Sequence, residues 1–156
     1  MRRSLLWGLA VALGAGTLLF STASSAQEYT TPSTSSAQEY AAVVRLAVAS
    51  GSVSIRQAGS SQTVPAAVNA PLTAGDYVLT GDASRAELQI DDANFIRASE
   101  DVQLRLSRVE QTDHEVQLAA GTIELSVLKV TGGLTSVQTP AITIMPADAG
   151  IFRITV

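Results

Sequence analysis

The chain predicts an all-β fold: about ten short strands coiled as an irregular β-helix or β-roll-like single domain, with almost no helix after the N-terminal segment. Three observations lead there. From Ala41 onward apolar and polar residues alternate with the period of two that buries one face of a strand. Clusters of Gly, Asp, Asn, Ser and Pro interrupt the alternation at spacings near 8–12 residues, where turns are expected. Aromatics make up only 4% of a chain that is 46% hydrophobic, so the core must be built from Val, Ile, Leu and Ala. No window offers a 3.6-residue apolar stripe bounded by helix caps.

The N-terminus has a different grammar. Met1-Arg2-Arg3 is a basic head, Leu5 to Phe20 is apolar apart from three glycines and Thr17, and Ser24-Ser25-Ala26 supplies small residues. That order predicts an exported chain with a signal peptide over residues 1–26, cleaved before Gln27. The alternative is an uncleaved membrane anchor, for which the apolar run is short against the roughly 20 residues of a span. There is no cysteine, which excludes a lipid anchor on Cys, a disulfide framework and a thiolate metal site. Residues 27–41 are polar and are expected to be a disordered lead-in. Ser-Ser-Ala-Gln-Glu-Tyr occurs there twice, at Ser24–Tyr29 and Ser35–Tyr40, and two copies are too few for a solenoid.

The β domain is expected over residues 42–156. Val44, Leu46 and Val48 alternate up to Gly51, Val53 and Ile55 follow, and Ala58-Gly59-Ser60-Ser61 turns the chain. Pro71 to Ile90 is the most informative stretch, with two Gly-Asp corners, Gly75-Asp76 and Gly81-Asp82. They deliver a strand with Ala86, Leu88 and Ile90 on one face and Arg85, Glu87 and Gln89 on the other. Asp91-Asp92-Ala93-Asn94 is a further turn, with Asn94 suited to the left-handed conformation. Phe95-Ile96-Arg97 resumes extended structure, and Glu100-Asp101 precedes Val102, Leu104 and Leu106 on a shared face. Val116 and Leu118 alternate after a polar corner at Gln111–His114, and Gly121 turns the chain into Ile123, Leu125 and Val127. Thr131-Gly132-Gly133 turns it again. Val137, Ile142 and Ile144 lead to a final run with Phe152, Ile154 and Val156 on one face, expected either to tuck into the sheet or to continue into a longer chain, and open to pairing if its edge is bare.

Charge narrows the choice of partner. The chain carries a net charge of −4; loss of residues 1–26 removes Arg2, Arg3 and no acid, leaving 14 acidic against 8 basic residues, or −6. Nucleic acid, which needs a basic footprint, is excluded, as is electrostatic adhesion to anionic lipid.

Several segments together resemble FecR-type periplasmic domains. They are Gly51-Ser52-Val53-Ser54-Ile55-Arg56, Pro71-Leu72 with Gly75-Asp76, Thr80-Gly81, and Ser84-Arg85-Ala86-Glu87-Leu88. Gly121-Thr122-Ile123-Glu124-Leu125 and Val137-Gln138-Thr139-Pro140 are similar to that family's second half. The resemblance runs from about Val43 to Val156 and lies in the ordered succession of motifs. It implies a periplasmic, non-catalytic, β-helix-like module that acts by binding another envelope protein. The best-known relatives also carry a cytoplasmic segment that binds a sigma factor, and the four residues before Leu5 are expected to be too few for one.

The residues themselves point to no enzyme. His114, the lone histidine, is expected as an exposed turn residue, since no Gly-x-Ser-x-Gly elbow accompanies it. Asp76 and Asp82 lack the alternate oxygen-ligand spacing of a calcium loop, and no cofactor is implied. Arg85, Arg97 and Arg105 lie on the polar faces of strands. They are the candidate partner-binding residues if they form one ladder, and structural ion pairs with Glu87, Glu100 or Asp101 if they do not. A cell-wall or polysaccharide-binding module is the alternative function, and a glycan-cleaving enzyme a more distant one.

Overall fold

The computed structural model describes residues 42–130 and 134–156. The expected signal peptide, the lead-in up to residue 41 and the corner at Thr131-Gly132-Gly133 lie outside the described residues.

The described residues contain strands and no helix, and so no helix long and apolar enough to cross a membrane. The chain begins with β1 (Val44–Ser50), β2 (Val53–Arg56), β3 (Val64–Pro65), β4 (Pro71–Leu72) and β5 (Tyr77–Thr80). The central strands are β6 (Arg85–Gln89), β7 (Asn94–Ala98), β8 (Gln103–Val109) and β9 (Asp113–Ala120). β10 (Thr122–Val127), β11 (Leu134–Gln138), β12 (Thr143–Ile144) and β13 (Gly150–Thr155) complete the domain. The longer strands are those the alternation predicts. β12 falls in the expected Ile142–Ile144 alternation, and the additions are β3 and β4, each of two residues and too short to leave a periodic signal.

Two open sheets result. The first has the order β13-β10-β7-β6-β1-β4, the second β12-β11-β9-β8-β5-β2-β3. From β1 and β2 the order in each sheet advances with the chain to the β12/β13 end, and β4 and β3 fold back outside β1 and β2. The expected coil of stacked rungs is not what the pairing shows: among the described residues only β9 and β11 run parallel. Hairpins such as β6–β7 and β8–β9 make the other neighbours antiparallel. The short Asp91–Asn94 corner favours this, because a tight turn reverses a strand and a parallel return needs a longer crossover, whereas the Gly-Asp corners carry the chain between sheets.

The inward faces of the two sheets form one apolar cluster. Leu46, Leu88, Ile96, Ile123 and Leu125 come from the first sheet and Val78, Leu104, Leu106 and Leu118 from the second. Each such side chain contributes about 1.5–3 kcal/mol relative to exposure. Val48, expected on the same face as Leu46, is 36% exposed. The β1–β6 register shifts between Leu46 and Val48, and the bulge turns Val48 outward.

Side chains tie the corners that link the sheets. Asp76 is buried, and its carboxylate accepts from Ala58 N at 2.8 Å, Thr73 N at 2.9 Å and the Thr73 hydroxyl at 3.3 Å. Ser84 Oγ accepts from Ser52 N at 2.7 Å and donates to Asp82 O. Gly121, at φ +92°, carries the chain from β9 to β10 where a Cβ would lie 2.7 Å from the Asp101 carbonyl oxygen. Only glycine fits both conditions. Asn94 departs from expectation. It does not adopt a positive φ but begins β7, buried, with its amide donating to Asp91 Oδ2 at 2.6 Å. Asp91 fixes the turn by also accepting from Ala93 N.

Candidate partner-binding surface

The three arginines expected to form one ladder are split between two sheets. Arg85 is exposed at the start of β6, opposite Ser50 of β1. Arg97, on the outer face of β7, donates through Nε to Glu87 at 2.7 Å and through Nη1 to Glu124 at 3.0 Å. These bonds, that to Glu87 foremost, hold its guanidinium pKa above the ordinary value. Arg105 lies in the second sheet, 5.5 Å from the centre of the Tyr77 ring, with Arg56 at 3.9 Å from the same ring. Tyr77 is in register with both, so β2, β5 and β8 are joined by one cation–aromatic stack.

A charged row does cross the first sheet, in an arrangement that sequence spacing does not disclose. Glu87 of β6 faces Arg97 of β7, Arg97 faces Glu124 of β10, and Glu124 faces Arg153 of β13. Arg97 is bonded on both sides. Arg153 is exposed and, among the described residues, forms no ion pair. It ends the row at the sheet's edge.

The edges differ in how they are protected. At the β3/β4 end both edge strands have two residues, one of them a proline, Pro65 or Pro71. β12 is equally short. β13 has six residues, no proline and no neighbour beyond it among the described residues. Between β12 and β13 the sandwich opens as a groove of about 400 Å³. Its apolar walls come from Pro140, Ile142, Ile144, Ile154 and Val156. Ile142 is 61% exposed, and Ile151 on the outer face of β13 is 66% exposed.

The second sheet carries a polar cleft of about 490 Å³ lined by residues that include Arg108, Asp113, Glu115 and Gln138. Arg108 donates to Asp113 at 2.6 Å, with Glu110 and Glu115 each 3.9 Å away. Gln138 bridges β11 to β9, donating to Glu115 at 2.6 Å and accepting from Gln117 at 2.9 Å.

His114 corrects the expectation of an exposed turn residue. It lies in β9, is 4% exposed and shares the inward face with Val116 and Leu118. Strand parity, rather than its polar neighbours in sequence, sets its direction. Its Nδ1 and the Oγ1 of Thr135, its register partner on β11, are buried with no hydrogen-bond partner among the described residues. Burial lowers the pKa of His114, against weaker opposing fields from Asp91 and Asp113. Among the described residues no group of three or more His, Asp or Glu side chains is placed to hold a metal ion.

Comparison with family models, with curated proteins and with solved structures finds no match for this chain.

Proposed function

We propose that this chain is an exported, non-catalytic, FecR-like interaction module of the bacterial cell envelope, working in the periplasm by binding another envelope protein. The observation that carries the reading is the end of the sandwich at β12 and β13. There a six-residue edge strand without proline borders an apolar groove, while the other edge strands are two residues long. Such an edge is a template for strand addition, and natural monomeric domains usually blunt it. The relation to FecR-type domains rests on the succession of corner and strand motifs.

Crosslinking in the native envelope followed by stringent purification tests the proposal. A defined protein adduct is expected, and recovery of no protein adduct would count against it. A second reading, a polysaccharide-binding module, draws on the polar cleft around Arg108 and Gln138. It requires the protein to sediment with purified peptidoglycan. Turnover of muropeptides, abolished by substituting Asp113 or Glu115, would replace both binding readings with an enzymatic one.

A further inference from the structure

We infer that the free edge of β13 accepts an extended peptide segment of a partner protein, one with an acidic residue opposite Arg153 and apolar residues on either side of it. This rests on the interaction-module reading and specifies the partner's chemistry. The argument begins with the ladder to β10. Val156 N donates to Gly121 O and Gly121 N donates to Val156 O, so residues 156 and 121 form a hydrogen-bonded pair. In an antiparallel ladder such pairs alternate. Ile154 and Phe152 therefore turn their backbone groups toward β10, and Ile151, Arg153 and Thr155 turn theirs to the open edge. Three consecutive outward positions give an incoming strand a complete set of donors and acceptors.

Side chains then select the strand. Across the outer face the charges run Glu87, Arg97, Glu124, Arg153, each in register with the next. The alternation of sign places an acid at the following position. Residues adjacent to that acid on the added strand point to the other face, toward the groove of Ile142, Ile144, Ile154 and Val156. A second copy of β13 fails the first condition. Pairing centred on Arg153 opposes two arginines, and pairing centred on Phe152 sets Ile151 opposite Arg153, so neither supplies an acid.

The test uses the full chain, labelled with ¹⁵N, and three capped nine-residue peptides that alternate Thr and Val around a central Asp, Asn or Lys. Titration with the Asp peptide should shift the amides of Ile151, Arg153 and Thr155 saturably. It should bind about threefold to fivefold more tightly than the Asn peptide at low salt, the range of an exposed ion pair. Arg153→Gln should abolish that preference and Arg153→Glu should reverse it toward the Lys peptide. Thr155→Pro should weaken all three peptides, since it removes an outward N–H that β10 does not use. Equal affinity for the three peptides, or shifts centred on the second sheet, would overturn the proposal. So would concentration-dependent shifts of the same edge amides without peptide, which would make a second copy the occupant.

Photocrosslinkers at Thr155 and at Gln103, introduced in the native envelope, separate this proposal from the reading beneath it. Adducts from Gln103 alone, with an edge inert to peptide, would overturn the edge and retain an interaction module. Peptide binding at the edge with no adduct from either position would uphold the edge chemistry and count against the module.

Discussion

Replacing Asp76 with alanine should destabilise the domain far more than the same change at Asp82, although both follow a glycine in a similar corner. The Asp76 carboxylate accepts from the backbone of Ala58, beyond β2, and of Thr73, beyond β4. Its own backbone reaches β8, with Gly75 N donating to Leu106 O and Leu106 N donating to Asp76 O. The side chain thereby ties two segments at a corner whose main chain is bonded to a third. A hydrogen bond to a charged group contributes about 1.5–3 kcal/mol. Ala58 and Thr73 are exposed, so water replaces part of the loss, and the low end for two bonds gives about 3 kcal/mol. With an unfolding entropy near 2.1 cal/mol/K per residue, a domain of about 115 residues should lose roughly 12 °C in Tm. Asp76→Asn should fall between, because its NH₂ must face one of two N–H donors. The Asp82 side chain is exposed and makes no hydrogen bond among the described residues, and Asp82→Ala should stay within about 0.5 kcal/mol. Thermal melts followed by circular dichroism, with urea titrations alongside, compare the three variants. A Tm for Asp76→Ala within 2 °C of the parent would refute the claim that this carboxylate anchors the corner.

Gly121→Ala should cost about 2–4 kcal/mol, because it combines a positive φ with crowding against Asp101 and Val102. Gly59→Ala, at φ +73° with no atom near its Cβ, should cost only about 1 kcal/mol, and urea midpoints resolve the two. His114 is held neutral by burial, so the unfolded chain binds its proton more readily and stability falls as pH drops below about 6.5 toward the lowered folded value. His114→Gln should flatten the change in Tm between pH 7.5 and 5.5, and an unchanged pH profile would contradict its burial. Glu124→Gln leaves Arg97 bonded to Glu87 and should shift stability by less than about 1 kcal/mol, as measured by the same urea titration.

The sequence by itself determined the class of the fold, the positions of the longer strands and most inward-facing residues. Alternation is a local property of the pleated backbone: Ala86, Leu88 and Ile90 face inward whatever lies opposite them. The same locality explains the errors. Val48 follows the alternation and is turned out by a bulge, which exists only because β6 pairs with β1 in a shifted register. His114 stands among polar neighbours in sequence yet faces inward, because β9 extends further than its apolar residues indicate.

The candidate surface was less legible than the fold. Arg97 and Glu87 were visible as polar positions on strands. Their continuation to Glu124 and Arg153 depends on registers set between strands far apart in sequence. The three arginines chosen from spacing divide between two sheets, since periodicity specifies a face but not the sheet that owns it. The two Gly-Asp corners looked equivalent, and only packing against Ala58, Thr73 and Leu106 made Asp76 an anchor while leaving Asp82 in solvent. Composition and period determine what a strand can be. Which strands lie at an edge, and what such an edge offers a partner, is decided by non-local pairing, which follows from packing the whole chain.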